Sequence, residues 1–322
     1  MKLQAVFVLL SSLGFAAAAA ELPGPVVSVA WLNEHRAEVV VLDVRSDVAG
    51  FTTAPEWSTD AKTGAKVLDS SGGHIADARL VDFNAWRVSA TIEGHKIDKL
   101  IPSAEEVQAL MRGLGVDADD TLVLTTPGAD PSDVDMAARV YWTLKTYGGT
   151  QMALLDGGNA AWLQAGYPVS TDAAVKLAAG NWSAGERNSA WLAQADDLKP
   201  GKGGPQLIDA RPVPQYLGVV YKKPAVAAGG HVEGAVNYPI ELQTRPVGLA
   251  QMFLTPEQYR SVMKGLGYAP QAGAITYCNT GHMAAGAWFV MSEIMGNPDT
   301  RLYDGSMHEW TTLGHPVVGV GL

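Results

Sequence analysis

The feature that most constrains this chain is that it carries one pattern twice. Ala30-Trp31-Leu32 returns as Ala190-Trp191-Leu192, and Val40-Val41-Leu42-Asp43-Val44-Arg45 returns as Gln206-Leu207-Ile208-Asp209-Ala210-Arg211. Gly73-His74-Ile75-Ala76-Asp77-Ala78 is matched by Gly230-His231-Val232-Glu233-Gly234-Ala235. Met111-Arg112-Gly113-Leu114-Gly115 is matched by Met263-Lys264-Gly265-Leu266-Gly267, and Asp156-Gly157-Gly158 with Trp162 by Asp304-Gly305-Ser306 with Trp310. The matches keep their order, with spacings that drift as loop insertions would make them. Each copy spans about 140 residues, the size of one domain. The expected division is residues 21–169, a linker at 170–188 that lacks any apolar period, and residues 189–322.

Within each copy, short apolar runs rich in β-formers alternate with helical patterns. The runs are Val39–Leu42, Thr121–Leu124 and Met152–Leu155, then Gln206–Ile208, Ala274–Tyr277 and Thr300–Tyr303. That alternation predicts α/β domains, each with a mostly parallel sheet flanked by helices. Ser103-Ala104-Glu105-Glu106 opens one helix with a capping-box pattern, and Gly113 and Gly115 stand where it should end.

The first twenty residues differ from the rest. Lys2 is their only charge, Leu3 to Phe15 is largely apolar, and Ala16 to Ala20 offers small residues for cleavage, which predicts a secretory signal peptide and a periplasmic or otherwise exported product. Lys and Arg number 23 against 33 Asp and Glu, so a nucleic-acid or anionic-membrane partner is not expected.

Cys278 is the only cysteine, so an internal disulfide and a multi-thiolate metal site are excluded, and no cofactor is expected. It directly follows the strand-like Ala274–Tyr277 and opens Cys278-Asn279-Thr280-Gly281-His282-Met283, after which Ala284 to Met291 reads as a buried helix. Such a strand–loop–helix turn lies at the carboxyl edge of the sheet, where open α/β folds bind ligands. The loop has no proline, and Gly281 permits the positive φ that lets amides converge on an anionic sulfur. The helix end adds about 0.3–1 kcal/mol to an anion, ~2 at most. In the first copy the same place holds Thr125-Thr126-Pro127-Gly128-Ala129-Asp130-Pro131, with no thiol and two prolines; Asp130, Asp133 and Asp135 would repel an anion.

These residues resemble a tandem-domain rhodanese-family sulfurtransferase, on Asp209-Ala210-Arg211, Gly230-His231 with Gly234 to Asn237 and Pro239, the Cys278–Met283 loop, and Asp304-Gly305 with Trp310. The resemblance implies two rhodanese-like domains, the first non-catalytic. It also implies a Cys278 persulfide that takes sulfane sulfur from a small anionic donor and passes it to cyanide, a thiol or a protein acceptor. Asn279, Thr280, Gly281, His282 and Met283 would line the donor site, with Arg211 as a candidate clamp. The loop matches neither the thiosulfate-type pattern, with a cation beside the Cys, nor the mercaptopyruvate-type Cys-Gly-Ser/Thr-Gly-Val. Both donors stay open, thiosulfate slightly favoured, and an exported persulfide-carrier or anion-binding module is the alternative.

A Cys-x5-Arg phosphatase is excluded because the sixth residue after Cys278 is Ala284, and a Cys-x-x-Cys reductase for want of a second thiol. His282 is either a weak cation or hydrogen-bond donor to the substrate, or simply an exposed loop residue; as a cation it would make kcat/KM fall as pH rises through ~6–7. Lys222-Lys223 reads as a basic rim or a solvated loop.

Overall fold

The computed structural model describes residues 20–199, 204–268 and 273–320; the expected leader, up to residue 19, lies outside them. The first sheet contains β1 (Val26–Val27), β2 (Val40–Arg45), β3 (Arg79–Asp82), β4 (Leu122–Thr125) and β5 (Met152–Leu155), in the order β1-β5-β4-β2-β3. The second contains β6 (Leu192–Ala193), β7 (Gln206–Asp209), β8 (Val236–Asn237), β9 (Ala274–Tyr277) and β10 (Thr300–Tyr303), in the order β6-β10-β9-β7-β8. The two orders are the same, and every pairing is parallel. β2, β4, β5 and β9 are buried at every residue, as strands covered by helices on both faces must be.

Helices connect the strands: α1 (Val29–His35), α2 (Ala104–Gly113), α3 (Pro131–Thr146) and α4 (Gly158–Gln164), then α5 (Val213–Tyr216), α6 (Pro256–Gly265), α7 (His282–Phe289) and α8 (Ser306–Thr312). α2 opens with the expected capping box between Ser103 and Glu106, and α6 repeats it with Thr255 and Gln258.

The domains share a core. α3 follows the loop after β4, α7 follows the equivalent loop after β9, and the two helices pack on each other across the domain boundary. Tyr141 meets Phe289 edge-on at 5.0 Å, and one continuous apolar cluster includes Trp142 of α3 and Trp288 of α7. Gly286 lies at this crossing because Asp135 Oδ1 and Gln243 Oε1 occupy the space a Cβ would need. Both side chains are almost fully buried, and Asp135 Oδ2 and Gln243 Oε1 have no hydrogen-bond partner among the described residues.

Two further connections tie the halves. In the second domain, the hairpin of Arg245–Val247 and Ala250–Met252 lies on the first: Gln164 Nε2 donates to the Val247 carbonyl at 2.9 Å, and the Gln251 amide donates to the Gly128 carbonyl at 2.9 Å. Residues 170–188 run back along the first domain, where Gly180 and Trp182 donate to the carbonyls of Arg112 and Val116.

Candidate active site

Cys278 is fully buried at the carboxyl end of β9. Gly281 has φ 73°, so the loop doubles back before α7, as its sequence requires. The amides do not all face the sulfur, however. Those of Cys278 and Gly281 both donate to Ser306 Oγ, each at 3.1 Å, and Ser306 in turn donates to the Tyr303 carbonyl at 2.9 Å. The amides of Asn279, Thr280, His282 and Met283 carry no hydrogen bond to any described residue. Together with the positive end of α7, these four leave the loop open to an anion.

Ser306 has φ 51°, a region that disfavours any side chain. The corresponding residue in the first domain is Gly158, at φ 57°. A glycine would sit there without strain; the serine hydroxyl instead holds both ends of the Cys278 loop.

The first domain holds the same loop from above. On α3, Arg139 donates through Nη1 to the Gly281 carbonyl at 3.2 Å and pairs through Nη2 with Asp304 Oδ1 at 2.5 Å. The Ile101 amide donates to the other oxygen of Asp304 at 2.6 Å. His282 Nε2 donates to the Ser132 carbonyl at 3.0 Å, which fixes its tautomer and joins the Cys278 loop to its thiol-free counterpart. Burial first, and then the Arg87 guanidinium, push His282 down to about 3, with the Ser132 carbonyl only partly opposing them. Of the roles open to His282 by residue type, the hydrogen-bond donor is the one that the contact to Ser132 and this downward shift favour.

Arg211 donates through Nε and Nη2 to Asp209, at 2.9 and 2.5 Å, and through Nη2 to the Gly230 carbonyl at 2.7 Å. Arg45 binds Asp43 and the Gly73 carbonyl in the same way in the first domain. The pair is thus a brace common to both sheets, and Arg211, fully buried, is neutralised by Asp209. Asn279 turns its amide to Gln215 Oε1 at 2.8 Å. Thr280 and Met283 are half-buried, and Met283 offers its carbonyl to Gln243. Lys222 and Lys223 are exposed, and the charge of Lys222 reaches His282.

Ser306, Arg139 and Arg87 are not among the candidates that the sequence offers. Ser306 was detectable as the one change from Gly158 within an otherwise repeated Asp-Gly motif. The two arginines had no such signal, because they reach the loop from the other domain.

The profile of the rhodanese-like domain matches residues 192–313. A sulfur carrier protein, TtuD, from Thermus thermophilus is 28% identical over 92% of this chain and 96% of its own. The 3-mercaptopyruvate sulfurtransferase of Escherichia coli K12 is 27% identical over 88% and 94%. The crystal structure of SseA from Escherichia coli superposes with a TM-score of 0.67 at 24% identity, over 88% of this chain and 98% of that one. Residues 192–313 thus match a rhodanese-like domain, and the chain as a whole, with two sheets of the same strand order, is similar over both halves to sulfurtransferases and a sulfur carrier and shares the fold of SseA.

Proposed function

We propose that this protein transfers sulfane sulfur through a persulfide on Cys278. The observation that carries the reading is the loop itself: the only thiol of the chain stands at a strand end, on a tight turn with four free amides and a helix N-terminus behind it. The Cys278 thiolate attacks the outer sulfur of thiosulfate, the Sγ–S bond forms, and sulfite leaves with the electron pair of the broken S–S bond. With 3-mercaptopyruvate the C–S bond breaks instead, and the pyruvate enolate leaves and takes a proton. A cyanide, thiol or protein nucleophile then removes the outer sulfur and returns Cys278 as thiolate. The free amides stabilise the negative charge of thiolate and persulfide alike. Relatives named as sulfurtransferases and as a sulfur carrier support this chemistry; thiosulfate is slightly favoured over 3-mercaptopyruvate.

Cys278→Ser should abolish both the +32 Da species in intact mass spectra and the release of sulfite from thiosulfate with cyanide, while melting within a few degrees of wild type. Residual transfer in that variant overturns the mechanism. The carrier reading is favoured by the likeness to TtuD and predicts the +32 Da species with no multiple turnover. We also infer that the protein is exported, with a mature chain beginning at Glu21. Sequencing the N-terminus of protein isolated from cell fractions tests this, and an intact Met1 overturns it.

A further inference from the structure

A small sulfur donor of either kind is an oxyanion at one end, and among the described residues the second-domain cations whose charge reaches the Cys278 loop are Lys222, on an exposed segment, and Arg211. The Cys278 loop contains neither Lys nor Arg, and Arg211 is paired with Asp209, with only its buried Nη1 left without a partner. Arg139 is likewise engaged with Asp304 and two carbonyls. The chain carries a formal charge of −10, so the long-range field repels an anionic substrate and a local positive group has to receive it.

Arg87, from the first domain, meets that need. Its guanidinium lies over the ring of Phe83 at 4.1 Å, and Phe83 in turn lies 5.0 Å from the ring of His282 in the Cys278 loop. The Phe83 ring is buried and supports the guanidinium, while Arg87 as a whole is only half-buried. No carboxylate among the described residues is within ion-pair distance of it. Its Nε is buried without a hydrogen-bond partner. A cation that is partly desolvated and left with an unused N–H is costly unless a ligand completes it. Burial, and then the like charge of Arg139, push Arg87 down to about 10, while the charges of Cys278 and Asp304 oppose that shift. It is still a cation at neutral pH, and close enough to Cys278 to sense its charge.

We propose that Arg87 is the group that binds the oxyanion end of the sulfur donor, so that the first domain supplies the charge recognition and the second the nucleophile. A planar guanidinium suits the two oxygens of a sulfonate or a carboxylate, and would hold either with the transferable sulfur towards Cys278. This rests on the reading of Cys278 as the sulfur acceptor.

The test compares Arg87→Gln and Arg87→Lys with wild type in two measurements. The first is steady-state transfer to cyanide from thiosulfate and from 3-mercaptopyruvate. The second is alkylation of Cys278 by anionic iodoacetate relative to neutral iodoacetamide, which needs no sulfur chemistry. Arg87→Gln should raise the donor KM ten-fold or more with kcat within a few-fold, and lower the iodoacetate-to-iodoacetamide rate ratio by a similar factor. Arg87→Lys should recover part of both. An active enzyme whose KM and alkylation ratio are unchanged in Arg87→Gln overturns the proposal. A wild type inert with both donors, whose alkylation ratio still falls in Arg87→Gln, keeps the anion site and overturns the sulfur-transfer reading instead.

Discussion

Histidine 282 shows how a single side chain changes meaning once its neighbours are known. By residue type it is a group that titrates near neutrality; enclosed beside Arg87 and Arg139, it stays neutral down to about 3. Its folded-state value is below the unfolded one, so its contribution to stability is present above pH ~6.5 and is lost as pH falls towards the folded value. His282→Asn should therefore give a kcat/KM profile parallel to wild type between pH 5.5 and 8. A limb near pH 6.5 that only the wild type shows would mean the ring does titrate there. Ser306 carries the converse lesson, since its chemistry is ordinary and its place decides its role. Ser306→Gly relieves the left-handed backbone, worth roughly 1 kcal/mol, yet frees the amides of Cys278 and Gly281. Turnover should fall at least ten-fold with no loss of thermal stability, and unchanged turnover would show that the hydroxyl does not hold the loop.

The elements that matter most are α3 and α7, the helices that follow the two equivalent loops. Their crossing buries Asp135 with no hydrogen-bond donor directed at it among the described residues. Burial first, then the charges of Asp130 and Asp133, hold its carboxyl well above the usual carboxylate range. Gln243 Oε1 shares the gap left by Gly286, and a protonated Asp135 gives that oxygen a donor. Tyr238 and Tyr259 face the same group from the second domain, and burial holds both phenols neutral. The sign follows from linkage: the folded protein holds a proton that the unfolded chain releases above pH ~4, so stability declines as pH rises from there through the folded-state value. Asp135→Asn keeps a donor without the titration. Between pH 5 and 8 its melting temperature should gain on that of wild type; a constant difference would place the proton elsewhere.

For the molecule as a whole, the sequence carried the plan of each half but little of what joins them. The sheet strands were legible because β2, β4 and β9 are buried on both faces and are mainly apolar, with Asp43 and Arg45 pairing with each other at the end of β2, and the Cys278 turn because strand, glycine and apolar helix follow one another directly. The two-residue edge strands β1 and β6 and the hairpin at 245–252 left too short a pattern to read. Arg87, Arg139 and Ile101 were invisible for another reason: each acts on a loop more than 100 residues away in sequence. The grip of Arg139 and Ile101 on Asp304 has a mechanical consequence. The loop is only as rigid as the joint between the halves, so in a urea titration sulfur transfer should fail at a lower concentration than far-UV circular dichroism does. Coincident midpoints would mean that each half keeps its loop in order alone. If the two part company, activity becomes a strain gauge for the joint, reporting slippage between domains that are each still folded.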